Sequence, residues 1–75
     1  MELEERLGTL LEAVFGPEGR LFGNDAGPGT VAAWDSVTHL NLVLAIEAEF
    51  GLTFSSSELQ DLNSLGKIRV RLEQI

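Results

Sequence analysis

The sequence predicts an all-α fold, a four-helix bundle with three main helices, one short helix and a long loop after the first helix. Two observations lead to this prediction. Apolar residues recur at helical spacing, so that they share one face of each helix. Helix start and stop residues stand at the ends of these segments, and no segment has a convincing strand pattern. The 75 residues suffice for one small domain, which we place at 1–75.

The first helix is predicted over about 3–15, where one face is apolar: Leu3, Leu7, Leu10, Leu11 and Val14. Glutamates crowd its first turn, where the helix dipole favours negative charge. Gly16 and Pro17 form a stop signal after it. The following stretch, 16–34, contains most of the glycines and both prolines, and it is predicted to be a long loop. Three apolar residues of this loop are expected to contact the core: Leu21, Phe22 and Val31.

The second helix is predicted over 36–50, with Asp35 as its N-cap and Gly51 as its C-terminal stop. It has two apolar stripes. One consists of Leu42, Val43, Ile46 and Phe50, and the roughly opposite one of Val37, Leu40, Leu44 and Ala48, with Asn41 among them. A helix that packs on one core needs a single stripe. Either this helix is enclosed, or its second stripe is a docking surface, and the small size of the domain favours docking.

Two shorter helices complete the predicted fold. Ser55 and Glu58 have the spacing of a capping box, which opens a short third helix over about 56–62. Ser64 can cap a fourth helix over about 65–74. One side of that helix is apolar, with Leu65, Ile68, Leu72 and Ile75.

Charge and composition exclude several classes of function. The net charge of −7 disfavours nucleic acid and anionic membranes as partners and favours proteins with basic surfaces. The acidic residues lie on the body of the chain, whereas 64–75 is mildly basic. Without cysteine there is no disulfide or thiol site, and a single histidine disfavours a zinc site. No apolar run is long enough for membrane insertion. We therefore expect a cytoplasmic monomer that binds no metal.

The stretch Trp34-Asp35-Ser36-Val37 opens the second helix and holds the candidate site. A serine just inside a helix N-terminus lies beside free backbone N–H groups and the positive end of the dipole, which suits a phosphate ester. Serine and aspartate are equally common there as plain capping residues, so the position alone leaves both interpretations open. The stretch Gly27-Pro28-Gly29 is interpreted as a flexible turn, because no strand precedes it and no Gly-Lys-Ser/Thr follows.

Three stretches of the chain resemble the acyl carrier protein family, whose members serve fatty-acid, polyketide and peptide-synthetase pathways. Residues 35–42 match the family's attachment motif, 46–51 its helix ending, and 62–65 the entry to its last helix. The resemblance covers nearly the whole chain and implies a four-helix bundle of acyl-carrier type. It implies that Ser36 receives 4′-phosphopantetheine, with Asp35 as part of the motif. The terminal thiol of that group would then carry an acyl group as a thioester.

The resemblance also implies a free-standing carrier with no catalytic residue of its own. Its partners would be a phosphopantetheinyl transferase and acyl-activating or acyl-transferring enzymes with basic docking surfaces. The recognition face would be formed by Val37, Asn41, Leu44, Glu47 and Ala48. Val37 replaces the family's usual leucine, and Asn41 and Ala48 stand where the family often has acids. A polyketide or other specialised acyl-transfer pathway is therefore as consistent with this face as fatty-acid synthesis.

Two other classes of function stay open. An unmodified helical interaction module would dock a partner through the same second helix. Asp35, Ser36 and His39 also suggest a hydrolase triad, but Asp35 is needed as a cap and His39 falls near the core arc. We expect His39 to be partly buried with a hydrogen-bond partner, or to contact a partner enzyme. Trp34 is expected to be a packing residue before the helix.

Overall fold

The computed structural model describes residues 2–74, and this part of the chain is helical without strands. Its four α-helices confirm the predicted all-α fold. They are α1 (Leu3–Phe15), α2 (Ser36–Phe50), α3 (Ser56–Asp61) and α4 (Leu65–Glu73). The first two agree with the predicted bounds, whereas α3 and α4 each end one residue earlier than expected. The predicted core position Ile75 lies outside the described residues.

The loop after α1 contains a 3₁₀ helix, Pro17–Leu21, which the sequence did not predict. This helix turns back against α1, and a Cβ at Gly19 would collide with the backbone carbonyl of Leu11. Phe22 and Val31 pack partly buried against the core, as expected. The expectation for Leu21 is wrong, because this side chain is 84% exposed. As the last residue of the 3₁₀ helix, it projects away from the core while its neighbour Phe22 turns in.

The core is formed by one face of three helices and by aromatic residues of the loop. Trp34 is its largest fully buried side chain, and its ring lies 5.0 Å from Phe15 and 6.4 Å from Phe22, centroid to centroid. Aromatic pairs at such distances add to the free energy of burial. The buried apolar residues are Leu7, Leu11, Phe15, Ala26, Trp34, Leu42, Val43, Ile46, Phe54, Leu62, Leu65, Ile68 and Leu72.

The two stripes of α2 have different environments. The stripe predicted to face the core is buried at Leu42, Val43 and Ile46, while Phe50 at its end is half-buried and packs on the core margin. The opposite stripe is at the surface: Val37 is 67% exposed, Leu40 50% and Leu44 53%, and Ala48 and Asn41 are also exposed. Helix α2 is therefore not enclosed, and it presents an apolar face to solvent.

The helix ends follow the capping residues that the sequence indicated. Ser55 and Glu58 form the predicted reciprocal capping box at the start of α3. The hydroxyl of Ser64 accepts a hydrogen bond from the Lys67 N–H at the start of α4. Gly51 ends α2 in the left-handed region, with φ of 67°, where glycine is the least strained residue.

Ion pairs bring the basic C-terminal segment back onto the acidic body. Arg69 contacts Glu4 of α1 at 3.0 Å, and Arg71 contacts Glu58 of α3 at 2.6 Å. These two pairs place basic residues of 64–75 beside acidic residues of α1 and α3, so the basic and acidic parts of the sequence lie together in the fold. Within residues 2–74, no helix combines the length and apolar character that crossing a bilayer requires.

Candidate functional site

Ser36 is the first residue of α2, and its side chain is exposed. The residue before it, Asp35, has extended backbone and is the N-cap, as predicted. The Asp35 carboxylate accepts a hydrogen bond from the Thr38 N–H at 2.9 Å, and the Thr38 hydroxyl accepts one from the Asp35 N–H at 2.8 Å. This capping box fixes the turn that presents Ser36 at the positive end of the helix dipole.

The charge of Asp35 is stabilised by these contacts. The backbone N–H of Thr38, followed by its hydroxyl, lowers the pKa of the Asp35 carboxyl below its ordinary value. Thr38 itself is a residue that the sequence reasoning missed. The spacing of Asp35 and Thr38, three residues apart as in a capping box, could have identified it. The site therefore begins with a fixed, ionised cap directly before an exposed serine.

His39 is held by a hydrogen bond at each ring nitrogen. The buried Trp34 indole N–H donates to Nδ1 at 2.9 Å, and Nε2 lies 3.1 Å from the backbone carbonyl of Leu59 in α3. Because an indole N–H can only donate, Nδ1 must accept, and the ring proton belongs on Nε2, where it donates to Leu59. His39 is thus a partly buried residue with hydrogen-bond partners, as expected, and Trp34 is a packing residue.

The hydrolase interpretation has no support from these contacts. The carboxylate of Asp35 is engaged by Thr38 and not by His39, and both nitrogens of His39 have other partners. A serine–histidine–aspartate chain of hydrogen bonds is therefore not formed by the described residues. Nor do His, Asp and Glu residues of 2–74 gather in any group of three that could hold a metal ion.

A pocket of about 400 Å³ lies beside Ser36, between α2 and α3. The α2 side contributes four residues, and the rest come from the loop and from α3 and its C-terminal end. The lining residues are Pro28, Ser36, His39, Leu40, Val43, Leu59, Gln60 and Asn63. Sequence reasoning did not predict this pocket, since its walls are far apart in the chain and meet only through the packing of α3.

The predicted recognition residues fall into two groups. Val37, Asn41, Leu44 and Ala48 are exposed on the outer face of α2, so the structure brings them together on one surface next to Ser36. Glu47 is different, because it is half-buried and its carboxylate accepts a hydrogen bond from the Phe54 N–H at 2.7 Å. That contact fixes the chain after α2.

Comparison with models of known protein families gives no match, and no curated protein matches the chain.

Proposed function

We propose that the protein is a free-standing acyl carrier, with Ser36 as the attachment residue for 4′-phosphopantetheine. The observation that carries this proposal is the exposed Ser36 at the first position of a helix whose adjacent outer face is apolar and open. The resemblance of residues 35–42 to the attachment motif supports the same residue. The thiol of the attached group would carry the acyl intermediate as a thioester, which explains how a chain without cysteine can serve in acyl transfer.

The surroundings of Ser36 are suitable for the attachment. Its hydroxyl is accessible, and a phosphodiester at this position lies at the positive end of the α2 dipole. In the attachment step the Ser36 hydroxyl displaces adenosine 3′,5′-bisphosphate from coenzyme A, its proton passes to a base of the transferase, and a phosphodiester bond forms. Asp35 holds the helix start in place through Thr38 and leaves the serine free.

The outer face of α2 is the proposed contact surface for the phosphopantetheinyl transferase and for acyl-transferring enzymes. Val37, Leu44 and Ala48 supply apolar contact area, and Asn41 lies among them. The net charge of −7 speeds encounter with enzymes that present basic surfaces. Glu47 supports the end of α2 through Phe54 and contributes charge at the margin of this face. A cytoplasmic carrier in fatty-acid, polyketide or another specialised acyl-transfer pathway has these properties.

A second candidate is an unmodified interaction module that docks a partner through the same face. The exposure of Val37 and Leu44 favours it, since that exposure does not depend on any modification of Ser36. The two candidates differ in one measurable property, which is covalent modification.

The test is intact-mass measurement after incubation with a permissive phosphopantetheinyl transferase and coenzyme A. We expect one phosphopantetheine per chain, localised to Ser36 by fragmentation, and none on Ser36→Ala. The matched control is Ser56→Ala, because Ser56 is likewise the exposed first residue of a capped helix, α3, and its loss should leave modification complete. A folded wild-type chain that gains no mass would overturn the carrier proposal and leave the interaction module.

A further inference from the structure

The hydroxyl of Thr38 lies at the centre of the hydrogen bonds that precede α2. It accepts a hydrogen bond from the Asp35 N–H at 2.8 Å and donates to the backbone carbonyl of Ala33 at 2.7 Å. The Asp35 carboxylate is a further, longer acceptor at 3.1 Å. Because a hydroxyl has both a proton and lone pairs, this one side chain binds an N–H and a carbonyl at once. Thr38 thereby joins the backbone on either side of Trp34.

These contacts hold the segment 33–35 from two directions. The Trp34 side chain is 1% exposed, so it fixes the middle of the segment in the core, and the Trp34 backbone N–H donates to the Val31 carbonyl at 3.0 Å. The Thr38 hydroxyl fixes the residues before and after Trp34. Ser36 follows directly and is exposed, so its hydroxyl takes its position from this backbone.

Thr38 is not part of the outer face of α2. It is half-buried, whereas Val37, Asn41 and Leu44 are exposed, and its hydroxyl is engaged by the backbone before the helix. The helix cap does not depend on this hydroxyl alone, because the Asp35 carboxylate also accepts from the Thr38 N–H at 2.9 Å. Removing the hydroxyl therefore loosens the segment before α2, while that cap contact and the outer face stay.

We propose that Thr38 is a positioning residue for phosphopantetheine attachment, and that its hydroxyl holds the Ser36 oxygen where it can reach coenzyme A. The proposal rests on the proposed carrier function. In the attachment step, the Ser36 oxygen approaches the pantetheine-bearing phosphorus in line with the breaking bond to adenosine 3′,5′-bisphosphate. A nucleophile held in that geometry reacts faster than one spread over many positions. Thr38 acts through Ser36 and takes no part in the bond changes.

The test measures attachment to the unmodified chain in single turnovers over a range of transferase concentrations. The maximal rate reports the chemical step, and the half-saturating concentration reports binding. Thr38→Val keeps the shape of the side chain without the hydroxyl, so the maximal rate should fall about tenfold to hundredfold. The half-saturating concentration should stay within about twofold of the wild type, because the outer face is unchanged. Thr38→Ser restores the hydroxyl and should recover a rate close to that of the wild type.

Thr9→Val is the matched control. The Thr9 hydroxyl also joins two groups, since it donates to the Glu5 carbonyl at 3.0 Å and accepts from Arg20 at 3.2 Å, but it lies on α1. Its loss should leave the maximal rate and the half-saturating concentration unchanged.

Hydrogen exchange of the Asp35 amide gives a readout that is independent of attachment. In Thr38→Val this amide loses its acceptor and should exchange about threefold to tenfold faster, whereas Thr9→Val should leave its exchange as in the wild type. If Thr38→Val does not fold, Thr38→Ala removes the same hydroxyl with a better helix former, and the same changes in attachment and exchange are expected.

The outcomes separate this inference from the function on which it rests. A wild-type chain that accepts no phosphopantetheine overturns both. If the wild type is modified and the variant without the hydroxyl reaches the same maximal rate, or its Asp35 amide exchanges as before, only the positioning role is wrong. A raised half-saturating concentration at an unchanged maximal rate would make Thr38 a contact residue instead. Slow attachment in Thr38→Ser, or equal slowing in Thr9→Val, would assign the loss to general destabilisation.

Discussion

The indole N–H of Trp34 donates to Nδ1 of His39 at 2.9 Å, and this hydrogen bond spans the start of α2, where Asp35 and Ser36 lie. Trp34 belongs to the core, whereas Asp35 and Ser36 are exposed. The bond therefore ties the exposed start of the helix to the rigid interior. Since His39 also contacts Leu59, the same imidazole connects the core and α2 to α3.

Replacing Trp34 should reveal how much this connection contributes to stability. Trp34→Phe leaves an aromatic ring but removes the N–H, so Nδ1 of His39 loses its partner, at a cost of about 1–3 kcal/mol in unfolding free energy, with a further loss from the smaller ring. Chemical denaturation measures the total. The hydrogen-bond part follows from a double-mutant cycle with His39→Leu, where the loss caused by Trp34→Phe should be smaller. Equal losses in both backgrounds would show that the bond contributes nothing.

The pH dependence of stability should show an acid limb from two carboxyl groups. Thr38 lowers the pKa of Asp35, and Arg71, followed by the Ser55 N–H, lowers the pKa of Glu58. A carboxyl whose pKa is lower in the folded state stabilises the fold above its unfolded-state pKa, and this contribution is lost as the pH falls through the folded-state pKa. The melting temperature should therefore be steady near neutral pH and fall below about pH 4.5.

Two substitutions test the origin of that limb. Asp35→Asn retains a good N-cap, and Glu58→Gln retains a capping-box side chain, but neither new residue titrates. Each variant should show a shallower decrease of melting temperature with acidification than the wild type. If both variants lose melting temperature as steeply as the wild type, other carboxyl groups cause the acid limb.

Phe50 offers a test of how the core ends along α2. The sequence placed it on the core arc with Ile46, but its ring is half-buried and the Arg6 guanidinium lies 4.3 Å from its centroid. Phe50→Ala should cost less than the roughly 3–5 kcal/mol of a fully buried phenylalanine. Phe50→Leu should keep most of the packing and lose about 0.5–1 kcal/mol from the cation–π contact. A full-size loss in Phe50→Ala, measured by denaturation, would place this ring inside the core.

Local sequence signals predicted the fold well where one segment decides its own structure. Asp35, Ser55 and Ser64 cap their helices, and the exposed and buried stripes of α2 follow from its spacing. The features that escaped prediction depend on contacts between distant segments. The 3₁₀ helix forms where Gly19 approaches α1, and the pocket lies where α3 packs beside α2, with His39 contacting a carbonyl twenty residues further along the chain. A single sequence contains no local pattern that indicates contacts between such distant segments.

Leu44 provides the sharpest test of the recognition face. It is 53% exposed and lies on the same surface as Val37, two turns from Ser36, so we expect a partner that binds this face beside the attachment residue to contact it. Burying an exposed leucine in a docking groove is worth about 1.5–3 kcal/mol, which corresponds to roughly tenfold to hundredfold in affinity. Leu44→Arg should therefore leave the melting temperature nearly unchanged while the rate of phosphopantetheine attachment falls by about that factor.

Val70→Arg is the matched control, because Val70 is 55% exposed on α4 and the variant adds the same charge away from α2. It should be modified at close to the wild-type rate. Equal slowing in both variants would assign the effect to net charge, and a large drop in melting temperature for Leu44→Arg alone would assign Leu44 to the core. Normal melting with wild-type modification would place the docking surface elsewhere and leave only Ser36 of the proposed site.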